Sequence, residues 1–333
     1  MPAERANLNN KNMSEGEPKI EEQEPEKPER TSGIMRVAGV SAEEERIILE
    51  RTKKEYFDKQ TPVEGEREKS PEESEIINDI LAKLPEFIKE YGGTPLQLKP
   101  EHIHVVNPEK LSYMQRRSYK KSGARGGYTP EKQTVEILAV TQSKLIFGIC
   151  VAHELIHFNS FQSAQYSPEG DRITERVFGV SEVSKDEEHI YFDDFNETIT
   201  EELAARFERE HFKSIPLLHK ALKRKEEMAV GVKWPEEVSS VEDIMDIIVK
   251  KGWFRTQYGV ARRGFLEESA KLWEMIKEIQ QKNSEKFKTD EDVFRFFTKA
   301  YFTGKRLGMA RLIENTFGKG SFRELGKGII SNY

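Results

Sequence analysis

Apolar residues recur every three or four positions in ESEIINDILAKLPEFIKEYGG, at Ile76, Ile77, Ile80, Leu81, Leu84, Phe87 and Ile88. That period predicts an amphipathic helix, with Pro85 as a candidate kink and Gly92 and Gly93 as the stop. HIHVV (102–106) and QTVEILAV (133–140) alternate or carry β-branched residues and predict strands, the second preceded by the glycine-rich loop SGARGGYTP. SKLIFGICVAHELIHFNSF is apolar on nearly every side, which predicts a helix at the centre of a domain rather than at its edge. RITERVFGVSEV and EEHIYFDDF follow as strands, and NETITEELAARFEREHF as a helix capped by Asn196. Beyond residue 220 the segments VEDIMDIIVKKG, FLEESAKLWEMIKEIQQK and DVFRFFTKAYFTGKRLGMARLIENTFG read as helices. There Phe294, Phe296, Phe297, Tyr301 and Phe302 recur at helical spacing, as core packing does.

The N-terminal stretch differs. From Met1 to about Arg30, Glu, Lys, Pro and Asn dominate, and too few large apolar residues are present to offset the entropy of ordering. SAEEERIILERTKKEYF predicts one short helix, with Ser41 and Glu44 as a capping box, and TPVEGEREKSPEE reads as a linker. The expected organisation is therefore a disordered acidic tail with one helix over 1–73, an ordered domain over 74–220 and a helical subdomain over 221–333.

Charge and cysteine usage narrow the chemistry. A net charge of −6 argues against the broad basic surface that drives nucleic-acid binding. The local cluster Arg116, Arg117, Lys120, Lys121 and Arg125 reads as an exposed loop better suited to an acidic peptide or protein. The lone cysteine, Cys150, excludes an internal disulfide and any multi-cysteine metal site. With no apolar run of about 18 residues and no apolar leader near the start, the expectation is a cytoplasmic protein that does not enter the membrane.

Within the apolar helix stands H-E-x-x-H, His153, Glu154 and His157. Positions i and i+4 are about 40° apart around a helix and about 6 Å apart along it, so both imidazoles can chelate one ion. Glu154 is turned about 100° from His153, off the shared chelate but in reach of a water that a metal activates. It then serves as general base in amide hydrolysis, and zinc is the expected cofactor, with cobalt or manganese as other occupants of such ligands. Cys150, one turn upstream, reads as a small core residue rather than a ligand. A third ligand has to come from elsewhere, since FNSFQSAQYSPEG contains no histidine. In N-E-T-I-T-E, residues 196–201, Glu197 and Glu201 share a helix face, so either can bind metal while the other receives the outer N–H of His153.

H-E-x-x-H followed by a later helix with Asn-Glu, and an acid four positions after that glutamate, resembles the gluzincin clan of zinc metallopeptidases, in its compact minigluzincin form. The resemblance covers about residues 74–212. It implies an α+β zincin-like domain, a small sheet packed on the H-E-x-x-H helix and the glutamate helix, with Glu197 as third zinc ligand and Glu201 orienting His153. It implies a peptide or protein substrate, with strand 133–140 as the edge beside which an extended peptide lies. The histidine or tyrosine that steadies the oxyanion in larger relatives has no motif here; Tyr191, His211, Tyr258 and Tyr301 are the candidates. The alternative is a non-catalytic interaction module in which the metal only orders the fold.

Overall fold

Capping signals set the first elements. The computed structural model describes residues 30, 32–122, 124–139, 143–167, 172–229, 244–251, 256–262 and 264–328. β1 (Arg36–Ala38) leads into α1 (Ala42–Thr52), where Ser41 and Glu44 form the expected capping box, and α1 runs on as a wider helical turn to Phe57. β2 (Glu66–Arg67) precedes α2 (Pro71–Glu90). A second capping box, Ser70 with Glu73, and Pro71 in the first turn start α2, which continues through Pro85 as one helix. Gly92, at φ +85°, ends it, and the Gly93 amide donates to the Ile88 carbonyl at 2.9 Å.

β3 (Ile103–Val106), α3 (Tyr113–Ser122), β4 (Gly126–Thr129) and β5 (Thr134–Leu138) follow. Together with β2 these strands make a four-stranded mixed sheet in the order β2-β3-β5-β4, parallel only between β3 and β5. The strand expected at 133–140, found as β5, is thus interior and not the edge that the resemblance implies. The edge beside it is β4, from the glycine-rich segment ahead of it, and the opposite edge is β2. β5 is buried along almost its whole length, as a strand covered on both faces is, whereas Gly126 and Gly127 give β4 little side-chain signal.

α4 (Lys144–Asn159) starts on the Ser143 side chain, which accepts from the Ile146 amide, and it is buried on nearly every side as its composition requires. β6 (Gln162–Ser167), β7 (Arg172–Phe178), β8 (Ser181–Val183) and β9 (Ile190–Tyr191) form a second sheet, to whose edge β1 adds in parallel beside β6. α5 (Asp193–His211) begins three residues before Asn196. Asn196 is therefore not a cap: its Oδ1 accepts from the Val180 amide at 3.0 Å, bracing α5 against the β7–β8 turn.

α6 (Pro216–Ala229) precedes β10 (Ile244–Lys251) and β11 (Thr256–Arg262), an antiparallel pair where the sequence predicts a helix over 241–252. A bulge between Ile244 and Asp246 explains the difference. It lets Ile244 and Ile247, three positions apart, both turn inward, 0% and 1% exposed, so that the strand imitates helical spacing. α7 (Leu266–Lys282), α8 (Asp290–Thr303), α9 (Arg306–Phe317) and α10 (Ser321–Gly326) complete the chain, with α8 and α9 divided at Gly304, φ +69°, beside the Phe161 ring.

The architecture is α+β. One cluster of buried apolar side chains runs from Phe57 to Leu325 and joins α2, α4 and α5 to α7, α8 and α9. The C-terminal helices therefore share the core of the preceding domain. At the other end, the predicted tail boundary at residue 73 is corrected by β1, α1 and β2, all three part of the fold. Residues 1–29 of that tail lie outside the described residues. No helix among the described residues is long and apolar enough to cross a membrane.

Candidate metal centre

Packing of α4 on α5 brings His153, His157 and Glu197 into one cluster of potential ligand atoms. His157 Nε2 lies 3.1 Å from His153 Nε2 and 3.1 Å from Glu197 Oε1, and His153 Nε2 lies 3.5 Å from Glu197 Oε2. Ligand atoms bound tetrahedrally at zinc–nitrogen and zinc–oxygen bond lengths sit about 3.3 Å apart. The two imidazole nitrogens and the two oxygens of one carboxylate thus meet at separations close to that spacing, and the donor set of two imidazoles and a carboxylate suits that ion.

The outer nitrogens are also held. His153 Nδ1–H donates to Glu201 Oε2 at 3.0 Å, which directs the Nε2 lone pair into the cluster. Of the two acids that the sequence leaves as rivals, Glu197 faces the inner nitrogens and Glu201 the outer one. His157 Nδ1–H meets Thr200 Oγ1 at 3.5 Å. The Thr200 hydroxyl itself donates to the Asn196 carbonyl at 3.0 Å and is 2.8 Å from the Tyr301 hydroxyl, and Phe178 stacks on the His157 ring at 5.0 Å. Sequence reasoning missed Thr200, although its place three residues after Glu197 gives it the same helix face.

Electrostatics follow from burial and these contacts. Burial resists charge on His153, but hydrogen bonds to Glu197 and Glu201 outweigh it and raise the imidazole well above its ordinary range. Burial likewise resists ionisation of Glu197, yet His157 and His153 hold its carboxyl well below the usual carboxylate range. A metal can take the place of the proton that such a basic Nε2 would carry.

Glu154 stays out of the cluster. It is 8% exposed and burial raises its carboxyl, with the two histidines opposing and Glu197 and Glu201 adding to the rise. It packs on β4 at Gly126, where an added Cβ would stand 3.1 Å from Glu154 Cγ and Oε1. Gly126 is thus what lets the edge strand and this carboxylate lie side by side. At Gly127 a Cβ would meet nothing within 4 Å. A cleft of about 670 Å³ opens here, between β4, the two histidines and Glu197, with Met245 and Phe265 on a further wall.

Three of the four oxyanion candidates lie outside the cleft. Tyr301 is fully buried behind the ligands, against Thr200. Tyr191 sits on β9 and does not line the cleft, and His211 packs on the Phe87 and Phe207 rings at the far end of α5. Tyr258 lies on β11, and its side chain is outside the described residues. Cys150 lines the cleft but is not among the clustered ligands, and burial pushes its thiol up to about 12. Comparison of the chain with protein-family models, with curated proteins and with solved structures finds no match.

Proposed function

We propose that the chain is a zinc-dependent peptidase of the gluzincin type, with a zincin-like arrangement of α2, the four-stranded sheet, α4, the β6–β7 hairpin and α5. The observation that carries this reading is an open metal-ligand triad beside a buried glutamate that is not itself a ligand. His153, His157 and Glu197 hold the ion, and Glu201 and Thr200 orient the two imidazoles. Zinc bound there supplies Lewis acidity, which polarises a substrate carbonyl and acidifies water.

The chain's own residues do the rest. Among the described residues β4 pairs on one side only, so its other edge can give an extended peptide main-chain partners, and Gly127 leaves room for it. Glu154 removes a proton as the water oxygen bonds to the carbonyl carbon. It returns that proton to the amide nitrogen as the C–N bond breaks, leaving a carboxylic acid and an amine, and the acid's remaining proton then passes to the amine to give a carboxylate and an ammonium. A carboxyl raised by burial is suited to both halves of that exchange.

A metal site that only ordered the fold would be closed by a fourth side chain and would need no base. Among the described residues the ligand cluster has three members. Glu154→Gln separates the readings: cleavage of a peptide library should fall by about a hundredfold or more while zinc content is kept. Unchanged cleavage would remove Glu154 from the mechanism, and a wild-type chain that cleaves no peptide would favour the interaction module.

A further inference from the structure

Arg125 lies directly before Gly126 of the edge strand and lines two spaces at once. One is the cleft over the metal ligands, and the other is an adjoining cavity of about 860 Å³. Its charge acts on the Cys150 thiol, one turn before His153, so the guanidinium sits close to α4. Nη1 is buried and has no hydrogen-bond partner among the described residues. Acids in the adjoining cavity do not serve it: Glu73 pairs with Arg67 at 2.6 Å, Glu72 with Lys144 at 2.6 Å, and Glu109 is exposed.

A buried guanidinium N–H without a partner is costly, and such groups are found where a ligand completes them. The group that fits a planar cationic fork is a carboxylate, which it binds through two parallel hydrogen bonds. The surroundings favour the same sign. α3 carries Arg116, Arg117, Lys120 and Lys121, all exposed, and Tyr119 of this helix reaches Glu136 on β5 at 3.1 Å, which anchors these cations near the cleft. Such a cluster steers anionic partners toward the edge strand.

We infer that Arg125 is a specificity-determining residue that binds a carboxylate of the peptide lying along β4, so that the substrates are acidic at one position near the scissile bond. This rests on the peptidase reading. The carboxylate can come from an Asp or Glu side chain or from the peptide's own C-terminus, and the chemistry is common to both.

The test uses full-length, zinc-loaded Glu154→Gln protein and three randomised peptide pools: one with internal Glu and an amidated end, one with Gln in place of Glu and an amidated end, and one with Gln and a free C-terminal carboxylate. Retention of a carboxylate pool should exceed that of the neutral pool by roughly ten- to a hundredfold, and whichever carboxylate pool gains identifies the source. Adding Arg125→Gln should erase the gain, and Arg125→Lys, which keeps the charge but not the fork, should retain part of it. Equal retention of all three pools by protein with Arg125 intact would overturn the inference, as would a gain that survives Arg125→Gln. Digestion of the same pools by the wild type reports separately on the peptidase reading: absence of cleavage sinks the hydrolase, whereas the retention preference stands or falls without it.

Discussion

Thr200 and Tyr301 show how far the site extends behind its ligands. The Thr200 hydroxyl donates its proton to the Asn196 carbonyl, so it meets both the Tyr301 hydroxyl and His157 Nδ1–H as an acceptor, which favours the tautomer of this candidate ligand that leaves Nε2 free toward the cleft. Thr200→Val keeps the shape and removes that acceptor. Zinc affinity, measured by competition with a chelating dye, should weaken by about ten- to a hundredfold, and unchanged affinity would show that His157 needs no such partner. Glu175, lining a separate cavity, behaves differently. Burial raises its carboxyl to about 7, with Glu131 and Asp193 adding to the rise. A carboxyl whose folded value lies above its unfolded one favours the fold where it is protonated. That contribution is complete below about pH 4.5 and is lost as the pH climbs through about 7. Glu175→Gln should therefore melt higher than the wild type at about pH 8, with the advantage shrinking toward pH 4.5; an advantage independent of pH would contradict the assignment.

Periodicity announced α2, α4, α5, α7 and α8, because each buries a stripe or a whole circumference of apolar residues in the common core. It failed where tertiary pairing decides. β10 imitates helical spacing because its bulge turns Ile244 and Ile247 the same way, and only the partner strand β11 makes the difference. β4 escaped notice because two glycines give a strand no alternation, yet it is the element that touches Glu154. At the site, H-E-x-x-H made His153, Glu154 and His157 readable from spacing alone. Glu197 and Glu201 could be reduced to a pair on one face, but their separate roles depend on which imidazole nitrogen each meets, and that is set by the packing of α5 on α4.

Arg30 ties the chain ahead of β1 to the C-terminal end of α4. Arg30, 8% exposed, donates to the carbonyls of Asn159 at 2.5 Å and Ser160 at 2.8 Å, where α4 ends, and to Gly33 at 2.8 Å. A guanidinium there satisfies terminal carbonyls and meets the negative end of the helix dipole. Arg30→Ala should cost about 2–4 kcal/mol in denaturant unfolding, since it strands several buried carbonyls together; a change below about 0.5 kcal/mol would return this segment to the status of a tail. The latch, the shared core and the cleft all converge on α4, and the account stands on what that helix and α5 hold between them. Metal content measured after reconstitution with zinc and removal of excess tests it: the wild type should retain about one equivalent, with two nitrogen and one oxygen protein ligands by X-ray absorption, and His153→Ala and Glu197→Ala should retain almost none. A wild-type chain that binds no stoichiometric metal, or a Glu197→Ala chain that binds it as well as the wild type, would contradict the account.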